Sequence, residues 1–461
     1  MRFLELTIPF LLVLYLVWHH PRPFIVRLLP AAALALIPFH IALEGYRWQM
    51  IPIYALTVVL MLSSRMKIRS SSDWMPIPSL LALIPLTMAA ILPVVLPVPE
   101  MPAPGGPYPV GTRIYELTDP ARQEIYSGTA EARRFQIQVW YPAEVSPSDE
   151  RAPWMADAEI FAPAIASYIR MPSFFLDHLA LVKMPAYRES AVASTSKGYP
   201  VILFSHGWNG FSAQNTGQTI ELASHGYVVV GVQHTYGAVV TVFEDGTVAY
   251  NNPSALPRGA PDTEYEAAAQ KLVAQWSGDL AYALAFLEAQ NNDPDSPFHN
   301  SLGISQVGVY GHSTGGGAAI QFCGTDSRCK ALLGMDPFMR PVSHEVQRSG
   351  VRQPSFFMFS QVWADDLDSL NNELFQGFLQ NASNSLGVIS IEGTTHYDFS
   401  DLPRLSPLAP RLGLKGPIDG SLVTTILNDY LIAFFDWTLQ EIPTSLFEEQ
   451  NQKYNEVRFL D

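Results

Sequence analysis

The sequence predicts an α/β architecture with a mainly parallel sheet, placed behind four apolar helices that cross a membrane. Three observations carry this. Four apolar stretches crowd the first hundred residues. After residue 112, short β-branched runs that stop at glycines alternate with helical periodicities. One such run ends in a lone serine among glycines, in VGVYGHSTGGGAAI, Val307 to Ile320.

The apolar stretches run from Phe3 to Trp18, Phe24 to Leu43, Met50 to Ser64 and Pro76 to Leu96. A cleavable signal would be one such stretch followed by polar sequence. Here the stretches repeat, so residues 1–96 are expected to form a four-span transmembrane domain. Pro30, Pro38, Pro52, Pro78 and Pro85 are tolerated in membrane helices. Arg22, Arg27, Arg65, Lys67 and Arg69 lie on one side of the spans, and Arg2 and Arg47 on the other. The positive-inside rule then puts the first and third loops in the cytoplasm and everything after Pro99 outside. The expectation is an integral protein of the plasma or inner membrane with an extracytoplasmic catalytic part. Glu44 and Arg47, beside Tyr46 and Trp48, read as an interfacial anchor.

Charge divides the chain in the same way. Residues 1–99 hold seven of the 28 Lys/Arg and three of the 43 Asp/Glu, which leaves 21 basic and 40 acidic residues beyond them, net −19. A part so acidic excludes nucleic acid as a partner, because phosphates demand a basic surface. Cys323 and Cys329 lack the neighbours of a zinc set, so no metal is expected. A local disulfide between them fits an exported domain, and the formal glycosylation acceptor Asn381-Ala382-Ser383 would matter only in a eukaryote.

Residues 97–111, PVPEMPAPGGPYPVG, read as a stiff linker. Residues 112–461 then supply the strands and helices of one domain. RRFQIQVWYPA alternates like an early strand, and YPVILFSHGWNG is an apolar run ending in glycines. IELASHGYVVVGVQH is a helix end plus a buried strand, and TEYEAAAQKLVAQWSGDLAYALAFLEAQ has long helical periodicity. CKALLGMDPF, PSFFMFSQVW and LGVISIEGTTHYDF follow as strands, and LVTTILNDYLIAFFDWTLQ as the last helix. Residues 148–198 interrupt the alternation with an apolar insert, either an extra packing layer or a cap over a site.

The glycine-ringed serine has a chemical reading. A hydroxyl nucleophile must be exposed, close to a base, and close to donors for an oxyanion. A sharp strand-to-helix turn exposes it, and leaves no room for side chains two residues either side, where Gly311 and Gly315 stand around Ser313. Gly-x-Ser-x-Gly in this context is the nucleophile elbow of α/β-hydrolases; a Walker phosphate loop would need a Lys that is absent. The triad order Ser, acid, His then points to His396 in IEGTTHYDF, late and just after a strand; His344 and His299 have weaker contexts. For the acid, Asp336 ends one strand and Asp365 and Asp366 end the next, and pattern alone leaves both open. The backbone N–H of Thr314 is one expected oxyanion donor and that of Trp208, in FSHGWNG, the other. His206 reads as a brace for that loop.

PVILFSHGWNG, GVQH, GHSTGGG, GMDPF and GTTHYDFSD together resemble the platelet-activating-factor acetylhydrolase family of serine α/β-hydrolases, from about Gly105 to the C-terminus. Around GHSTGGG the chain is also similar to cutinase-like polyester hydrolases. The resemblance implies Asp336 as the acid and supports Trp208. It implies calcium-independent cleavage of short or oxidised acyl chains from phospholipids, with activity like a 1-alkyl-2-acetylglycerophosphocholine esterase and no cofactor. The four-span domain departs from the animal members, which are secreted or lipid-anchored. The expected activity is therefore a membrane-tethered carboxylic ester hydrolase acting on lipid-like esters. The alternatives are an amidase or peptidase on the same triad and a non-catalytic membrane sensor or scaffold.

Overall fold

A computed structural model describes residues 2–18, 21–65 and 77–460. Lys67, Arg69 and Pro76, used above for orientation and for the fourth stretch, lie outside the described residues, as does Asp461.

The apolar stretches fold as helices Phe3–Val17, Phe24–Glu44, Ile51–Arg65 and Ile77–Val95. They pack on a small shared core of Ile8, Leu12, Leu16, Ala33, Ile53 and Leu86. Their other faces are equally apolar and point outward, with Phe10, Phe24, Ile25, Val59, Leu81 and Met88 exposed. Among the described residues, one helix, Phe24–Glu44, is long and apolar enough to cross a membrane; the others are shorter apolar helices.

The interfacial-anchor expectation for the segment after Glu44 needs correction. Arg47 is fully buried, ion-paired to Glu5 at 2.7 Å, and donates to Leu96 O at 2.9 Å. Trp48 Nε1 donates to Phe175 O at 3.2 Å, and its ring meets Phe174 edge-on. Gln49 and His178 are hydrogen-bonded at 2.8 Å. These residues join the helical bundle to the insert, so the charges serve a protein contact. The proline-rich stretch after the bundle lies along the helix Thr216–Ser224: Gly105 N–H donates to Glu221 at 3.0 Å and Gly106 N–H to Ser224 Oγ at 3.1 Å.

A twelve-stranded sheet organises the rest. Its order is Val457–Leu460, Ser385–Ile391, Ser355–Ser360, Ala331–Met335, Leu302–His312, Tyr199–Ser205, Val228–Gln233, Ala132–Glu144 and Val110–Gln123, extended by the insert strands Lys183–Arg188 and Arg151–Pro153, with the short strand Ala191–Val192 paired off this path to Ala132–Glu144. The six strands from Ser385–Ile391 to Val228–Gln233 pair in parallel; the flanking pairs are antiparallel. Tyr199–Ser205 and Val228–Gln233 are buried throughout, as a sheet covered on both faces requires. Alternation divides their side chains: Ile202 and Phe204 enter the core beneath the C-terminal helix Gly420–Gln440, and Val201 and Leu203 the core beneath Asp262–Asn292 and Thr314–Thr325.

The insert forms the helix Ala158–Tyr168 and the 3₁₀ segment Ser173–Leu181 between its two strands. Trp154 Nε1 anchors it by donating to Ala213 O at 3.1 Å. Cys323 and Cys329 form a disulfide.

Candidate active site

The strand Leu302–His312 passes into the helix Thr314–Thr325 through Ser313, which sits at φ 58°, ψ −123°. That backbone is strained for a residue with a side chain, and persists only where neighbours enforce it. Ser313 N–H donates to Met335 O at 3.0 Å, and its carbonyl accepts from Phe338 N–H at 2.9 Å. The glycines are steric requirements. A Cβ on Gly315 would lie 2.0 Å from Ser205 O, and one on Gly311 2.2 Å from Gly315 O.

Asp336 follows the next strand, is wholly buried, and also has positive φ, 44°. Its Oδ1 accepts from Ser360 N–H at 2.7 Å, and its Oδ2 from Ser360 Oγ–H at 2.7 Å and from His396 Nδ1–H at 2.9 Å. His396 opens the 3₁₀ turn His396–Phe399. Asp398 holds that turn, accepting from Thr395 N–H at 2.8 Å and Gly416 N–H at 2.7 Å. The imidazole stacks on Trp363 at 4.6 Å and 7°, with the His312 ring 4.4 Å away. His396 Nε2 and Ser313 Oγ have no hydrogen-bond partner among the described residues.

His312 is buried, and burial, then the nearby His396, pushes its pKa well down. The neutral ring accepts from Gln214 Nε2 at 3.1 Å and donates Nε2–H to His396 O at 3.0 Å. Gln214 Oε1 accepts from Gly207 N–H at 3.3 Å, so one amide ties the elbow to the loop before it. That loop runs against the serine, since a Cβ on Gly207 would lie 3.3 Å from Ser313 Cβ. The backbone N–H groups of Trp208 and Thr314 donate to nothing among the described residues. His206 is buried in this loop, hydrogen-bonded to Gly207 O at 2.7 Å.

Of the three sequence candidates for the acid, Asp336 meets the imidazole. Asp365 is half exposed and paired with Arg458 at 3.0 Å, and Asp366 is exposed beside it. His344 pairs with Glu266 at 2.6 Å and His299 contacts Asn300, both at the surface. The sequence reading missed Ser360, Trp363, Gln214 and the role of His312. A polar residue closing the apolar strand SFFMFS was the one available signal for Ser360. Among the described residues, two clusters bring metal-ligand atoms within 4.8 Å of one another: His312, Asp336 and His396, and Glu5, His40 and Glu44. In the first, a cation would have to displace the His312–His396 and His396–Asp336 hydrogen bonds. In the second, Glu5 is already neutralised by Arg2 and Arg47.

A strained serine between a parallel strand and a helix, with histidine and carboxylate from later strand ends beside it, is the arrangement of the α/β-hydrolase class. The solved ferulic acid esterase of Streptomyces cinnamoneus shares this fold, with TM-score 0.64 and 22% identity, covering 79% of this chain and all of that one. Residues 96–455 match the family model described as platelet-activating factor acetylhydrolase, isoform II, and the chain belongs to that family. Platelet-activating factor acetylhydrolase of Cavia porcellus is 29% identical over 72% of this chain and 77% of its own length. A probable 1-alkyl-2-acetylglycerophosphocholine esterase of Arthroderma benhamiae is 23% identical over 78% of this chain and 94% of its own. The chain is an ester hydrolase.

Proposed function

We propose that this chain is a membrane-tethered serine hydrolase that cleaves short-acyl, lipid-like carboxylic esters facing the outside of the membrane. The observation that carries the reading is Ser313 at the strained elbow, beside a His396 whose Nδ1–H is held by the buried Asp336. His396 Nε2 takes the Ser313 proton as Oγ attacks the ester carbonyl. The oxyanion is received by the N–H groups of Trp208 and Thr314. Collapse expels the alcohol, which takes the proton from His396, and water activated by the same imidazole releases the acid. Asp336 holds the tautomer and stabilises the imidazolium. No cofactor enters these steps.

The lipid-like substrate class is supported by the likeness to the acetylhydrolase and the 1-alkyl-2-acetylglycerophosphocholine esterase above. The tether is supported by the four N-terminal helices, whose outward faces carry Phe24, Ile25, Phe39, Leu62 and Met88. By this reading, residues 1–96 are the membrane domain, and residues 112–461 are the hydrolase with its insert at 148–198.

The test uses the full chain in detergent and in vesicles. Wild type and Ser313→Ala are assayed on p-nitrophenyl esters of increasing chain length and labelled with a serine-directed fluorophosphonate. Hydrolysis and labelling by wild type alone support the serine mechanism. Full activity in Ser313→Ala ends it, and activity on amides above esters ends the ester assignment. A membrane fraction from which carbonate washing extracts the chain would end the tether.

A further inference from the structure

A second Ser–His–Asp constellation lies one strand away from the first. Ser205 Oγ and His234 Nε2 are 2.9 Å apart, and His234 Nδ1 and Asp279 Oδ2 3.0 Å. All three are fully buried. Arg133, also buried, clamps both oxygens of Asp279, Nε to Oδ1 at 3.0 Å and Nη2 to Oδ2 at 2.7 Å. Burial raises the Asp279 carboxyl, but Arg133 and His234 outweigh it and hold its pKa low. Asp279 is therefore a charged acceptor and His234 donates from Nδ1. His234 Nε2 is left to accept the Ser205 proton.

Water and substrate cannot reach this serine, so it is no nucleophile. Its surroundings define another task. Ser205 is the last residue of its strand, directly before the loop His206-Gly207-Trp208. His234 N–H donates to His206 Nε2 at 3.2 Å, which leaves the proton on Nδ1. His206 Nδ1–H then donates to Gly207 O at 2.7 Å, and Gly210 N–H donates to the same oxygen at 2.9 Å. That carbonyl belongs to the peptide whose other end is the Trp208 N–H. In a planar trans peptide, fixing the C=O fixes the opposed N–H, and hydrogen bonds to the oxygen strengthen the N–H as a donor. Trp276, on the helix that carries Asp279, floors the assembly. It stacks on His234 at 4.2 Å and on Trp208 at 6.5 Å, and meets His206 edge-on at 5.2 Å.

We infer that Asp279, His234 and Ser205 are positioning residues that act through His206 to aim the Gly207–Trp208 peptide at the oxyanion. The inference rests on the ester-hydrolase reading above, with Trp208 as a donor. A donor that acts on the oxyanion contributes to kcat and leaves substrate binding nearly unchanged.

The experiment measures kcat and KM for p-nitrophenyl acetate, Ki for phenylboronic acid, and thermal unfolding, all on the full chain. Boronate forms a tetrahedral anion on the serine and so reads the oxyanion site directly. His206→Leu is expected to lower kcat about 10–100-fold with KM within about twofold, and to weaken the boronate in parallel. His206→Asn, whose amide replaces Nδ1–H, should recover most of the loss. His206→Leu could fail to fold, so Ser205→Ala, which conserves charge and nearly conserves volume, is the second probe. It should lower kcat about three- to tenfold with the same boronate signature. Folded variants with unchanged kcat, or with kcat lost while boronate Ki stays put, overturn the inference. A fully active Ser313→Ala would instead remove the reading beneath it, and is run alongside to separate the two failures.

Discussion

Two Ser–His–Asp sets in one chain, Ser313–His396–Asp336 and Ser205–His234–Asp279, use the same side chains to opposite ends. In the first, the serine is lifted on a strained turn, the histidine keeps 20% of its side chain exposed, and its Nε2 is unengaged. In the second, every member is at 0% exposure and every ring nitrogen has a partner. Unmet hydrogen-bonding capacity at a partly exposed site is what chemistry uses; satisfied capacity in a core is what holds a backbone still. Residue identity alone does not separate the two, although the chain order does: serine, acid, histidine in the first and serine, histidine, acid in the second.

The comparison can be broken most directly at the serines. Ser313→Ala should lower kcat by about 10⁶-fold, against at most about tenfold for Ser205→Ala; similar losses in an aryl-ester assay would erase the distinction. Next in size is the pair of acids. Asp336→Asn should cost about 10⁴-fold in kcat by removing the acceptor that fixes the His396 tautomer, whereas Asp365→Asn should stay within about twofold. Equal kcat values for these two variants would refute the assignment.

The buried acid of the brace should show itself in stability instead. Asp279→Ala strips the buried Arg133 of its bidentate partner, leaving it Glu124 alone, removes the acceptor of His234, and is expected to cost about 3–5 kcal/mol in denaturant unfolding. A loss under about 1 kcal/mol would mean that the cluster relaxes or hydrates. The smallest expected effect concerns the loop that carries His396. Asp401 closes it against the start of the helix Thr216–Ser224, its carboxylate weakly accepting from Gly217 N–H at 3.4 Å, and burial pushes its pKa up to about 6. The ordinary value is 3.8, so in between the folded chain holds a proton that the unfolded chain has lost. Stability then falls as pH rises through that window and stays lower above it. Asp401→Asn should shrink the difference in unfolding free energy between pH 4 and pH 8 by about 1–3 kcal/mol. An unchanged difference would count against Asp401 as its source.

The elements of the fold were legible where the determinant is local. The four apolar stretches became helices within a residue or two of their expected ends at every described terminus, because uninterrupted apolar sequence allows little else. The strands flanking Ser313 were readable from β-branched runs stopped by glycine. The anchor reading of Glu44 to Trp48 failed for a non-local reason. Arg47 is neutralised by Glu5, 42 positions earlier, and Trp48 binds the insert, 127 positions later. Nothing in their own neighbourhood announces either partner.

By itself, then, the sequence determined the elbow, the order of serine, acid and histidine, and the alternation that builds a parallel sheet. Each is written in short local runs, the elbow in a single turn and the acid and the histidine each at the end of its own strand. Residue pattern left the acid open and the resemblance favoured Asp336; the tertiary structure sets Asp336, and not Asp365, against the imidazole, since that depends on where two loops meet across the sheet. It also decided that His234, 45 positions before Asp279 and 101 after Arg133, belongs to a buried brace. Burial and hydrogen-bond geometry are set by the packing of distant segments, and distance along the chain carries no record of them.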